Sequence, residues 1–108
     1  MKKKYVVTFD VHSEHERIIQ DLIQYDWHSV IQGYADNGSP VICYFPETTW
    51  WKEFNNVKEA FAEFDAIAGQ SNIIRQTVSL LDEWRSTTRN PMKHQVEEAR
   101  ALRLVSSN

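Results

Sequence analysis

Between Asn55-Asn56 and Gly69, the residues Val57, Ala60, Phe61, Phe64, Ile67 and Ala68 recur close to every 3.6 positions, the spacing that lines one side of a helix with apolar groups. Either asparagine can cap the start by accepting a backbone N–H, and Gly69 can take the left-handed conformation that ends the helix. A helix with one apolar stripe needs a second layer to cover it. Tyr5, Val7, Phe9 and Val11 alternate along a β-branched and aromatic stretch, which predicts a strand with one buried face. The chain is therefore constrained to a mixed domain in which helices pack on a sheet.

The remaining elements follow from local pattern. Ser13 with Glu16 forms a capping-box spacing, and Ile18, Ile19, Leu22 and Ile23 give the helix that follows an apolar stripe ending near Asp26. Trp27 to Tyr34 reads as a second strand, Ala35 to Pro40 as a hairpin turn with Gly38 at positive φ, and Val41 to Phe45 as a third strand. Pro46 closes that strand or marks an edge, and Glu47 to Trp51 is either a short extended continuation or a loop. Asn72 to Leu81 fits helical spacing, but its β-branched content and the Gly69-Gln70-Ser71 break favour a fourth strand running into a short helical turn near Asp82. Arg85 to Asn90 is a polar linker, and Pro91 can open a last helix with Met92, Val96, Ala99, Leu102 and Val105 as a thin apolar stripe, able to pack on a partner subunit.

The order β-α-β-β-α-β plus a helix predicts an α+β, ferredoxin-like fold: a four-stranded antiparallel sheet with two helices on one face. This arrangement occupies residues 1–86, with a linker and C-terminal helix over 87–108. The sheet's other face, carrying Tyr44 and Trp50, would be covered in a homodimer through sheet packing or edge pairing.

Charge separates the function classes. The net charge of −3 argues against a surface built throughout to hold a phosphate backbone. Its distribution is uneven: Asp10 to Asp65 carries 3 basic and 11 acidic residues, whereas Arg75 to Arg103 carries 6 basic and 4 acidic. Lys2, Lys3 and Lys4 could join the second group in a local basic surface if the first and last strands lie side by side, or they are ordinary solvated charge. The single cysteine, Cys43, excludes an intrachain disulfide and suits a reducing compartment. No apolar run reaches the length of a membrane span and the lysine leader precedes a strand, so a cytoplasmic protein without membrane contact is expected. With glycine only at positions 33, 38 and 69, a phosphate-binding glycine loop is disfavoured.

Several residues are candidates for chemistry. Asp10 closes strand one on the side opposite Tyr5, Val7 and Phe9, where a carboxylate can hold a divalent metal or position water; capping the helix is the alternative. Asp10, His12 and His15 form a string that can supply metal ligands or a base titrating near neutral pH. His28 and His94 complete no triad with a serine. Cys43, inside an apolar run with no basic neighbour, reads as a small buried hydrophobe. Adjacent side chains on a strand point to opposite faces, so one of Trp50 and Trp51 can be exposed for base stacking or partner docking, unless both pack. Arg75, Arg85 and Arg89 can contact phosphates, and a guanidinium can stabilise the charge that develops when an RNA 2′-hydroxyl attacks its phosphate.

The stretch Tyr5-Val6-Val7-Thr8-Phe9-Asp10 resembles the first strand of the small ferredoxin-like endoribonucleases, most closely the GhoS-type antitoxins of type V toxin-antitoxin systems. Trp27-His28-Ser29-Val30-Ile31 is similar to that family's second strand, and Thr77-Val78 leading to Asp82-Glu83-Trp84 to its last strand and terminal turn. An apolar run closing in aspartate is also shared with CRISPR-associated spacer-acquisition nucleases. The likeness covers Tyr5 to about Arg85 and leaves out Trp50-Trp51 and the tail. It implies an antitoxin that cleaves single-stranded RNA, with Asp10 at the catalytic site. On the residues' own chemistry His12 joins Asp10 there, with Arg75, Arg85, Trp50 and Trp51 as RNA contacts. The rival expectation is a non-catalytic phage or plasmid-type inhibitor that binds a protein partner through its acidic surface and tryptophan pair. A small-ligand sensor using the open sheet face is a third.

Overall fold

The computed structural model describes residues 1–104 and contains five strands and three α-helices. In chain order these are β1 (Lys3–Val11), α1 (His15–Gln24), β2 (Val30–Tyr34), β3 (Pro40–Tyr44), β4 (Thr49–Phe54), α2 (Val57–Ala68), β5 (Ile73–Leu80) and α3 (Lys93–Ala101). A single 3₁₀ turn, Gln70–Asn72, separates α2 from β5. Val105, expected on the last helix, lies outside the described residues.

β1 is the centre of a three-stranded antiparallel sheet in the order β4-β1-β5. Its alternation has the consequence expected: Tyr5, Val7 and Phe9 are buried, while Thr8 and Asp10 face solvent. Ile18 and Leu22 of α1 and Ala60, Phe64, Ile67 and Ala68 of α2 pack on that buried side with Trp27, Trp50 and Phe54. α2 starts where its cap was placed, with the Asn56 side chain accepting from the Glu59 N–H at 3.0 Å, and ends at Gly69, whose φ is 83°. Val57 and Phe61, expected on the buried stripe, are exposed because they lie on the outer edge of the helix.

The expected four-stranded sheet is divided. β2 and β3 form a separate antiparallel ribbon, joined to the main sheet by one bridge between His28 and Trp51. The cause is local: after Phe45 the chain turns at Pro46, and the Thr49 N–H donates to the Pro46 carbonyl, so the third strand breaks into β3 and β4. Pro46 lacks the N–H that a continuous ladder would need. Glu47 and Thr48 thus belong to a turn, and Trp50-Trp51 to a true strand paired with β1.

Two smaller expectations are also corrected. Ser13 makes no capping box; α1 begins after Glu14, in the left-handed region at φ 61°, with no side-chain cap. The Ser13 N–H and hydroxyl instead donate to Asn72 Oδ1, and Asn72 Nδ2 donates back to the Ser13 carbonyl at 2.8 Å. No helical turn forms near Asp82. The C-terminal helix packs on its own chain through buried Gln95 and Ala99.

Candidate functional site

The outer face of the three-stranded sheet carries short hydroxylated side chains. Register places Thr8 beside Thr49 on one side and Thr77 on the other, with Val6 between Trp51 and Ser79. One step further along, Asp10 sits opposite Arg75. Cross-strand neighbours of opposite charge are within reach of each other, and here they meet: Arg75 Nε donates to Asp10 Oδ2 at 2.9 Å, and Nη2 lies 2.8 Å from the same oxygen. Both side chains are more than half exposed, so the pair fixes geometry more than it adds stability.

His12 leaves the same end of β1. Its N–H donates to the Asn72 carbonyl at 2.9 Å, and the Ser13–Asn72 clamp holds the turn that leads into Arg75. His15 opens α1 beside Glu47, with 3.8 Å between Nδ1 and the carboxylate. The bulge between Asp10 and Val11 marks where strand pairing gives way to this polar end. Among the described residues, no three histidine, cysteine or acidic side chains converge as a metal ligand set. Asp10, the residue considered for a divalent metal, spends one oxygen on Arg75.

Trp50 and Trp51 separate as adjacent strand residues must. Trp50 has no exposed surface: it lies in the core, donates from Nε1 to the Glu47 carbonyl at 2.7 Å, and stacks on the His94 ring of α3. It is therefore corrected from an RNA contact to a core residue. Trp51 is half-buried on the outer face, with His28 at 4.8 Å between ring centroids, Lys4 Nζ 5.4 Å from its ring, and its Nε1 donating to the Val30 carbonyl at 2.7 Å.

Arg85 is not part of the Asp10 group. The segment that carries it follows β5 past Leu81, whose N–H donates to the Lys4 carbonyl at the opposite end of β1; at about 3.3 Å per residue the two ends lie roughly 20 Å apart. Its guanidinium is highly exposed and sits 3.4 Å from Asp36. Cys43 is buried in a second apolar cluster with Ile31 and Phe45. Burial pushes its thiol pKa up, and a hydrogen bond with Ser86 opposes the shift, which disfavours a nucleophilic role.

Sequence pattern did not indicate the Ser13–Asn72 clamp, nor the polar cluster in which Glu98 accepts from the Ser29 N–H and hydroxyl and lies 3.2 Å from His28 Nδ1. These partners come from distant parts of the chain and carry no local signal. Comparison with protein-family models, curated proteins and solved structures found no match. No described helix is long and apolar enough to cross a membrane.

Proposed function

We propose that the protein is a ferredoxin-like, antitoxin-type endoribonuclease acting on single-stranded RNA at the Asp10–Arg75 end of the sheet. The observation that carries this reading is the hydrogen-bonded ion pair between the Asp10 carboxylate and the Arg75 guanidinium on the open face. It joins a strand-closing acid to a phosphate-binding base, each of which has a reason in RNA cleavage. The fold part is supported by strand order: β1 lies between β4 and β5, and His28, two residues before β2, bridges to Trp51 of β4, the neighbour relations of a split βαβ sheet whose third strand is broken.

Cleavage by the RNA's own 2′-hydroxyl needs three things: removal of its proton, stabilisation of the pentacoordinate phosphate, and a proton for the departing 5′-oxygen. Arg75 supplies the cation, and its free N–H groups point donors at phosphate oxygens while Asp10 holds the fork in place. His12 serves as the proton carrier, since an imidazole has one nitrogen that can accept a proton and another that can donate one. Trp51 and the threonine hydroxyls line the path along which bases and 2′-hydroxyls lie. The same reading places the protein in the cytoplasm as a homodimer.

The test is cleavage of a labelled single-stranded RNA pool by the purified protein, with and without a chelator. Wild type is expected to cut in both conditions, and Asp10→Ala, His12→Ala and Arg75→Ala to lose at least about 100-fold in rate. Unchanged cleavage in Asp10→Ala and Arg75→Ala would remove the site, and no cleavage by wild type would remove the activity.

A further inference from the structure

A cleft of about 1180 Å³ lies far from Asp10, between the β2–β3 ribbon and residues 81–88. Its apolar wall comes from Ile31, Val41 and Leu81, with Trp84 packed against them. Trp84 is held in place: its ring meets Phe45 edge-on at 6.0 Å between centroids, and Gly33 lets it approach so closely that a Cβ there would sit 2.9 Å from its Cη2. On the rim Tyr34 is 71% exposed, the most exposed aromatic side chain of the described residues. A rigid half-open tryptophan, a projecting tyrosine and an apolar wall are the features of a surface that anchors a partner's side chains.

Charge decides what kind of partner fits. The two cations at the cleft are already engaged: Lys4 lies 3.8 Å from Glu53 and over the Trp51 ring, and Arg85 pairs with Asp36. Asp82 and Glu83 also line the cleft, both exposed, and neither has an ion-pair partner among the described residues. The uncompensated charge is negative, which repels a phosphate backbone and attracts a cation. The volume exceeds what a single side chain fills and lies above the roughly 300–1,000 Å³ of small-ligand sites, so it accommodates a short run of residues.

We propose that this cleft is the docking groove for a basic segment of a protein partner, whose arginine or lysine side chains lie against the Tyr34 and Trp84 rings and reach Asp82 and Glu83. A guanidinium over an aromatic face gains from the ring's negative potential, and more so where neighbouring carboxylates share the charge. The acidic stretch from Asp10 to Asp65 adds a long-range field that steers such a segment toward the protein. This groove is independent of the Asp10–Arg75 site, so either assignment stands without the other.

The experiment titrates the full chain into a labelled peptide of alternating arginine and leucine and reads polarisation together with tryptophan emission. Saturable binding that weakens with salt is expected, with a change in tryptophan emission on binding. Tyr34→Ala, and separately Asp82→Asn with Glu83→Gln, should each weaken binding by about tenfold. All three positions are exposed, so these variants keep the fold, which far-ultraviolet circular dichroism verifies. Glu14→Gln with Glu16→Gln, at the start of α1, should weaken binding far less than either groove variant, since these charges act only through the long-range field. An equal loss in the α1 variant, equal binding of the same peptide with glutamate for arginine, or a single-stranded RNA that displaces the peptide only when Tyr34 is intact would each overturn the groove assignment.

Discussion

The carboxamide of Gln95 donates from Nε2 to the Phe45 carbonyl at 2.7 Å, and the same nitrogen lies 3.2 Å from the Ser29 carbonyl. Gln95 is 2% exposed. It thus occupies the gap left where β3 ends and β2 has not begun, and it supplies a donor to a backbone group that a continuous sheet would have paired. α3 is bound by this polar plug and by Glu98 as well as by its thin apolar stripe.

Replacing Gln95 by methionine keeps the volume but leaves the Phe45 carbonyl buried without a donor. A loss of about 2 kcal/mol is expected, measured by urea unfolding. Because α3 covers Trp50 through His94, the variant should also shift tryptophan emission to longer wavelength before the global transition. A variant as stable as wild type would show that α3 docks by apolar contact alone.

Gly33→Ala tests the fit between the ribbon and Trp84. The added methyl would stand 2.9 Å from Trp84 Cη2 and 3.3 Å from Cys43 Sγ, so the indole must move. The expected cost is about 1–3 kcal/mol, accompanied by a changed near-ultraviolet tryptophan signal and an unchanged far-ultraviolet spectrum. A silent substitution would mean that residues 81–88 do not hold Trp84 against the ribbon.

Asn56→Ala removes the acceptor for the Glu59 N–H, while the Glu59 carboxylate still accepts from the Asn55 N–H at 3.0 Å. A loss of about 1 kcal/mol is expected, seen as a lower thermal midpoint, and Asn56→Asp should recover most of it. Asn55→Ala should be nearly silent, since the Asn55 side chain caps nothing.

Cys43 should react slowly. Its thiol is buried and its pKa is raised, so the reactive thiolate forms only above the range of a free cysteine. At neutral pH, alkylation of the native protein is expected to run at least about tenfold slower than that of the urea-unfolded chain. Ser86→Ala removes the hydrogen bond that opposes the rise and should slow it further. Rapid alkylation of the native protein would show that the second apolar cluster opens readily.

Much of the fold is written in short stretches. The alternation of Tyr5, Val7 and Phe9, the 3.6 spacing from Ala60 to Ala68, the Asn56 cap, the Gly38 turn and the Gly69 stop all act between residues a few positions apart. Their physics is the same in an isolated peptide as in the folded chain, so they can be recognised without the rest of the molecule. The same holds for the division between Trp50 and Trp51: strand geometry requires opposite faces, though not which of the two is inside.

What stayed hidden depends on partners far along the chain. Asp10 and Arg75 are 65 positions apart, Gln95 and Ser29 66, and Ser13 and Asn72 59. Ser13 has the spacing of a helix cap, yet its hydroxyl goes to Asn72, because a side chain from the 3₁₀ turn before β5 offers both an acceptor and a return donor. Pro46 was visible as a strand stop, but its consequence was not: the split into a sheet and a ribbon, with α3 filling the break, follows from satisfying buried backbone groups in three dimensions. Local sequence sets which segments are helices and strands, whereas long-range packing sets which side chains meet, since that energy exists only once the whole chain has closed.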